Sequence, residues 1–232
     1  MRIRLAVLGL AAGLASGCAA SGGGGQATLW VTRDRGAHVL LVARVPAGLT
    51  AVQALERKTH VKTRYGGRFV QAINGIEGSA GAQRDWFYFV NGYEADRGSA
   101  EYRLRPGDVE WWDYRSWKGA SRAPVVVGAF PEPFLHGYEG KKRPTVIVSP
   151  VNRPLARRFA RLLHGRVLKA GRTVPSGANA LIVIAGPRRS TLFTATLPSD
   201  DSSAGAPVRM VFRGDPNELS SHAFRYRYEV GR

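Results

Sequence analysis

The chain has 232 residues, 44% hydrophobic, 22% charged and 9% aromatic. This balance suits an ordered globular protein and excludes a disordered or low-complexity one. Lys and Arg total 34 against 17 Asp and Glu, a formal net charge of +17, which points to contact with something anionic. A single Cys excludes an intrachain disulfide, a four-Cys zinc site and a CxxC redox pair, and no apolar run reaches the roughly 18 residues of a transmembrane helix.

In chain order, the first element is an address. Arg2 and Arg4 precede an apolar run from Leu5 to Leu14 that is too short to span a bilayer, the pattern of an export signal. It ends in Leu14-Ala15-Ser16-Gly17-Cys18, which resembles the lipobox of bacterial lipoproteins, with Ala15 where that motif usually has Leu. The resemblance implies cleavage before Cys18 and acylation of it, hence a membrane anchor on an exported protein; two or more acyl chains anchor stably. Residues 19–26 contain a run of four glycines and read as a flexible tether. A plain secretory signal with Cys18 incidental is the other reading.

Two ordered segments are expected after the tether, residues 27–117 and 125–232, joined by a small, polar, Pro-terminated linker at 118–124. In the first, Thr28–Thr32 and His38–Val45 read as strands flanking a turn at Arg33–Gly36. Thr50 can cap a helix whose apolar positions Val52 and Leu55 share a face. Phe69–Ile73 and Trp86–Val90 read as further strands, the latter followed by Asn91-Gly92, the strongest two-residue hairpin signal. A turn at Leu104–Asp108 and a closing strand at Val109–Tyr114 complete it. Strand, strand, helix and more strands predict an α+β domain with one helix on a mixed sheet.

Several ordered motifs carry a family resemblance. Trp86-Phe87-Tyr88-Phe89-Val90-Asn91-Gly92 is followed by Tyr102-Arg103-Leu104 and by Pro106-Gly107-Asp108-Val109-Glu110-Trp111, and is preceded by Gly66–Ile76. Together they resemble domain-of-unknown-function 4430, also called the transcobalamin-like C-terminal domain. The resemblance covers about 90 residues. It implies a β-grasp-like fold and a kinship with the cobalamin-covering β domain of vertebrate B12 carriers and with bacterial surface lipoproteins, so that cobalamin, or another corrinoid, is the implied ligand. The cobalt-coordinating His of those carriers lies outside the matched region, so no residue is carried over for it.

The same residues have two readings. Asn91, Gly92, Gly107 and Asp108 shape turns, and Trp86, Tyr88 and Trp111 fill a small core. Alternatively, Trp86, Tyr88, Asn91, Tyr93, Trp111 and Trp112 form a ligand platform. Four of the five Trp fall between residues 86 and 117, more than one small sheet hides. Trp111 and Trp112 are adjacent on a strand and face opposite sides, so one of them is expected to be exposed.

The second segment resembles no known family. Pro124–Phe130, Thr145–Val148, Ala180–Gly186, Pro207–Phe212 and Phe224–Val230 read as strands. Asn152 caps a helix carrying Leu155, Phe159, Leu162 and Leu163 on its apolar face and Arg157, Arg158 and Arg161 on the other. The continuous apolar run at Ala180–Gly186 suggests a parallel sheet, and hence a small α/β domain. No GxSxG, HExxH or phosphate-loop motif occurs, so a non-catalytic protein is expected. Residues 122–232 hold 18 basic and 7 acidic side chains. That surplus reads either as a solvated Arg-rich face or, for an anchored exterior protein, as contact with anionic lipid or wall polymer; nucleic acid fits poorly with export.

Overall fold

The computed structural model describes residues 24–150, 152–169 and 171–231. The export signal, Cys18 and most of the tether lie outside the described residues. The fold is α+β, built on two five-stranded sheets and a three-stranded one. Among the described residues no helix is long and apolar enough to cross a membrane.

The first sheet begins with β1 (Gln26–Arg33) and β2 (His38–Pro46), an antiparallel pair. The turn between them runs through Asp34, Arg35 and Gly36, all at positive φ. Helix α1 (Ala51–Glu56) follows. Its capping box is reciprocal: Gln53 N donates to Thr50 Oγ1 and Thr50 N donates to Gln53 Oε1, which satisfies two of the free N–H groups of the first turn. Ala51, Val52, Ala54 and Leu55 are buried. Then come β3 (Val61–Arg64), β4 (Phe69–Ile73) and β5 (Ile76–Glu77), which form their own antiparallel sheet. β3 was not foreseen, because only Val61 in it is apolar and three of its four side chains are exposed. β6 (Arg84–Val90), β7 (Tyr93–Glu94) and β8 (Val109–Ser116) return to the first sheet. Its order is β2-β1-β8-β6-β7, with the first and last strands parallel at the centre. Two hairpins flanking a central parallel pair, with the helix after the first hairpin, is the β-grasp topology. Asn91 and Gly92 turn the β6–β7 hairpin at φ 51° and 83°, as a primed turn requires.

The second half contains β9 (Thr145–Val148), α2 (Arg153–Leu162), β10 (Arg166–Val167), β11 (Asn179–Ala185), β12 (Leu192–Thr196), β13 (Arg209–Gly214) and α3 (Pro216–Ser220). The sheet order is β10-β9-β11-β13-β12, parallel except for the β12–β13 pair. Asn152 Oδ1 accepts from Leu155 N at 2.9 Å and caps α2. Leu155, Phe159 and Leu163 enter the core beside Leu181, Met210 and Phe212. Leu162, expected on that face, is 43% exposed.

Two expected strands are absent. Val127–Ala129 is a 3-10 turn, and Phe224–Val230 runs through turns with Tyr226 at φ 68°. The Arg–Tyr alternation of the latter has a strand period, but its backbone bonds elsewhere: Tyr226 N to Gly128 O, Arg227 N to Phe224 O, and Val230 with Phe193. This places Tyr228 against the first sheet, where it joins Trp30, Phe89, Trp111, Val126 and Ala129 in a separate apolar cluster.

The expectation that Trp111 or Trp112 is exposed is therefore corrected. Trp111 is 0% and Trp112 2% exposed. Trp112 faces α1 and its core, and Trp111 faces the cluster built with the second half. At the centre of that contact lies the carboxyl of Asp113. Its Oδ1 accepts from Thr32 Oγ1 at 2.6 Å and Gly36 N at 3.1 Å. Its Oδ2 accepts from Arg35 N at 3.1 Å and Tyr228 OH at 2.9 Å. Segment 118–124 is also held down, because the buried Arg115 guanidinium lies 3.6 Å from the Phe87 ring centroid and donates to Ala120 O and Ser121 O.

Removing the Tyr228 hydroxyl takes one donor from a fully buried carboxyl and leaves the ring packing intact. Tyr228→Phe is expected to lower stability by about 1–2 kcal/mol, read as a lower urea midpoint at unchanged slope. An unchanged midpoint would contradict the structural weight given to this bond.

Candidate functional site

The six residues expected at a ligand platform separate into two groups of three. Trp86, Tyr88 and Trp112 come together. Antiparallel pairing of β6 with β8 sets Tyr88 opposite Trp112, and their rings stack at 4.8 Å with 20° between planes. They line a depression of about 190 Å³ with Arg68, Phe69 and Arg97 among the other walls. Trp86 and Trp112 are buried and Tyr88 is half-buried. Trp86 Nε1 donates to Ile76 O at 2.9 Å, and Tyr88 OH donates to Arg97 O. Trp86 and Tyr88 are thus each fixed by a bond to a backbone carbonyl.

Asn91, Tyr93 and Trp111 are elsewhere, and the structure gives each a scaffold role. Asn91 Nδ2 donates to Asp108 Oδ1 at 2.8 Å and to Gly137 O at 2.7 Å, while its Oδ1 accepts from Val109 N. It therefore locks one turn to another and to the second half. Tyr93 OH donates to Ala206 O at 2.8 Å across the same contact. Trp111 Nε1 donates to Thr32 Oγ1 at 2.7 Å. All three are buried by the chain's own second half, which sequence periodicity cannot reveal.

Beneath the depression is a buried acid. Glu110 is completely buried; its Oε1 accepts from Trp112 Nε1 at 2.6 Å and its Oε2 has no partner. Burial pushes its pKa well above the usual carboxyl range, nearby Asp108 adds to the effect, and the Trp112 bond opposes it. Burial likewise raises the pKa of Tyr88.

Beside the depression lies a cleft of about 420 Å³ that sequence reading missed. Its walls carry Asp96, Arg97, Tyr138, Lys141, Lys142 and Arg143, with the Ser203–Ala206 turn opposite. Tyr138 OH donates to Asp96 Oδ1 at 2.8 Å, Arg97 pairs with Glu139 at 2.7 Å, and Arg143 Nε donates to Gly205 O at 2.6 Å. Burial and the Asp96 bond hold the Tyr138 hydroxyl protonated far above neutral pH. The run Lys141-Lys142-Arg143 was the signal available; what it lacked was Arg97, 44 positions upstream, which only the fold brings alongside. Arg97 borders both the depression and the cleft. An aromatic floor thereby adjoins a cationic cleft, an arrangement able to hold a ring-bearing anion. Among the described residues no three His, Cys, Asp or Glu gather where they could hold a metal ion.

The raised pKa of Glu110 has a signed consequence. As pH rises through the ordinary carboxyl range, the unfolded chain gives up this proton while the folded chain keeps it, so stability falls with rising pH. Glu110→Gln keeps an acceptor for Trp112 Nε1 and removes the titration. The variant is expected to gain stability relative to the parent at pH 7 and not at pH 4, measured as urea midpoints at both values. Equal differences at the two pH values would show that the acid is not held protonated.

No curated protein matches the chain. Among solved structures, a suspected metal-binding protein from Ruminococcus gnavus ATCC 29149 aligns at 13% identity and a TM-score of 0.33, covering 40% of this chain and 97% of that one. Haptocorrin in complex with Cbi aligns at 14% identity and a TM-score of 0.32, covering 38% of this chain and 25% of that one. Residues 48–116 match the model of the family described as domain of unknown function DUF4430. The match takes in α1, the three-stranded sheet, the aromatic hairpin and β8, leaving the β1–β2 hairpin and the second half outside it. Residues 48–116 are thus similar to the DUF4430 family, as the motifs quoted from this stretch lead one to expect.

Proposed function

We propose that the protein is an exported lipoprotein, anchored through acylated Cys18 on the outer side of the cytoplasmic membrane or in the envelope beyond it, that presents a non-catalytic ligand-binding surface. The observation that carries this reading is the shared wall at Arg97, which joins the Tyr88–Trp112 stack to the cationic cleft. The cleft's polar groups are occupied with one another, Tyr138 with Asp96, Arg97 with Glu139 and Arg143 with a carbonyl. That arrangement supports holding over proton transfer.

A corrinoid is the ligand that the transcobalamin-like kinship puts first. Small-molecule sites commonly enclose about 300–1,000 Å³, more than the aromatic depression offers. A corrinoid would therefore lie across depression and cleft together, with one edge over Tyr88 and its polar substituents toward Arg97 and Lys142. The second reading is a cell-envelope lipoprotein that contacts a protein partner or an anionic polymer and takes no small ligand. The 18 basic against 7 acidic side chains of residues 122–232 favour it.

Absorbance titration with cyanocobalamin and with cobinamide separates the two readings. The first expects a spectral change and co-elution at micromolar ligand, weakened by about three- to tenfold in Tyr88→Ala through loss of ring contact. No spectral change and no co-elution would reject the corrinoid. The anchor has its own check: blocking lipoprotein signal processing is expected to leave a heavier precursor, and an unchanged mature mass without acyl groups on Cys18 would reject lipidation.

A further inference from the structure

The outer edge of the first sheet presents an apolar face that the second half leaves uncovered. β2 is the edge strand, and three of its side chains are exposed large hydrophobics: Val39 at 47%, Leu40 at 44% and Val42 at 52%. The register with β1 assigns their faces. Val42 pairs with Trp30 and Val39 with Thr32, and Leu40 is the extra residue of a bulge between them. Trp30 and Thr32 belong to the face that receives Tyr228. Val39 and Val42 therefore continue that same face past the point where the second half stops.

Cations frame these side chains. Arg44 lies two residues beyond Val42 on the same face and is exposed. The Arg225 guanidinium sits 5.8 Å from the Trp30 ring centroid, beside Val42 in the register. No acidic residue occurs between Gly36 and Leu55. An apolar strip edged by Arg is poorly matched to bulk water. It is well matched to a surface that offers negative charge outside and hydrocarbon just beneath.

We propose that the Val39–Val42 strip, with Arg44 and Arg225, docks on an anionic lipid bilayer. The position of the tether agrees with this. The tether enters the fold at Gln26, and Trp30, the partner of Val42, follows four residues later on the same strand, about 13 Å away at strand spacing. A chain held at Cys18 can lay this face on the membrane without stretching the tether, and the ligand surface at Tyr88 lies on the opposite side of the sheet. The inference extends the reading of a membrane-anchored chain and is tested without the anchor, so the two fail separately.

The test uses a chain beginning at Ala19, which retains every described residue and lacks Cys18. Sedimentation with vesicles of equal parts phosphatidylglycerol and phosphatidylcholine is compared with pure phosphatidylcholine. The expected result is binding to the anionic vesicles at least about tenfold stronger than to the neutral ones. Val39→Thr with Val42→Thr keeps the β-branched shape while removing apolar surface, and is expected to weaken that binding about tenfold. Arg225→Gln is expected to weaken it about fivefold. Full binding by the double Thr variant would reduce the contact to charge alone and overturn the proposal, as would equal affinity for the two vesicle types. A concentration-dependent dimer in buffer, abolished by the double Thr variant, would assign the face to a second copy instead.

Discussion

The buried carboxyl of Asp113 is the constraint around which the two halves are arranged. A carboxyl with no solvent requires donors on both oxygens, and the four donors here come from three stretches of chain. Thr32 supplies one from β1, the left-handed turn after β1 supplies two backbone N–H groups, and Tyr228 supplies the fourth from the far end of the sequence. The turn must run through three positive-φ residues for its N–H groups to face the carboxyl. At Gly36 a Cβ would stand 1.6 Å from Tyr226 O, so glycine there serves both the turn geometry and the approach of the second half. The β1–β2 turn, the centre of β8 and the C-terminal turns are thereby one unit.

The aromatic density of the first sheet follows from the same arrangement. A β-grasp sheet ordinarily buries one face against its helix and leaves the other to solvent or to a partner. Here the partner is the rest of the chain, so β8 is buried on both sides. Glu110, Trp112 and Tyr114 look toward the helix side, while Trp111, Asp113 and Arg115 look toward the second half. Each polar member of that strand is answered by a particular neighbour, Trp112 for Glu110, Thr32 and Tyr228 for Asp113, and the carbonyls of 116–121 for Arg115. Only the unpartnered Glu110 Oε2 and Arg115 Nε break the pattern on this strand.

Covering one face decides where binding surfaces remain. The Trp111 side is closed by Tyr228, and the open ground is at its margins. On the helix side it is the Tyr88–Trp112 depression with the adjoining cationic cleft; at the sheet edge it is the strip along β2. Both margins combine apolar or aromatic side chains with Arg, so part of the positive charge of the chain stands beside hydrophobic surface.

Local patterns were enough for the elements whose stability is local. Asn91-Gly92 specifies its hairpin through φ preference, Thr50 and Asn152 specify helix starts through side-chain caps, and the apolar run at 180–185 specifies a central parallel strand, although Ile182 and Ile184 on one of its faces are only half-buried. The neighbourhood of Tyr88 and Trp112 follows from strand pairing, which sets them opposite one another. The rest depended on partners distant in sequence. Trp111 was indistinguishable from Trp112 until Tyr228 arrived 117 positions later. The Phe224–Val230 alternation satisfied a strand period, yet its backbone found better partners in turns against Gly128 and Phe193. Arg97 acquired its neighbours only when the loop before β9 folded beside it. Sequence by itself determined the capped helices, the tight turns and the strongly apolar strands, because caps, turn preferences and periodicity act within a few residues. Tertiary structure decided which faces close and which stay open, because burial and the pairing of buried polar groups are settled between residues a hundred positions apart.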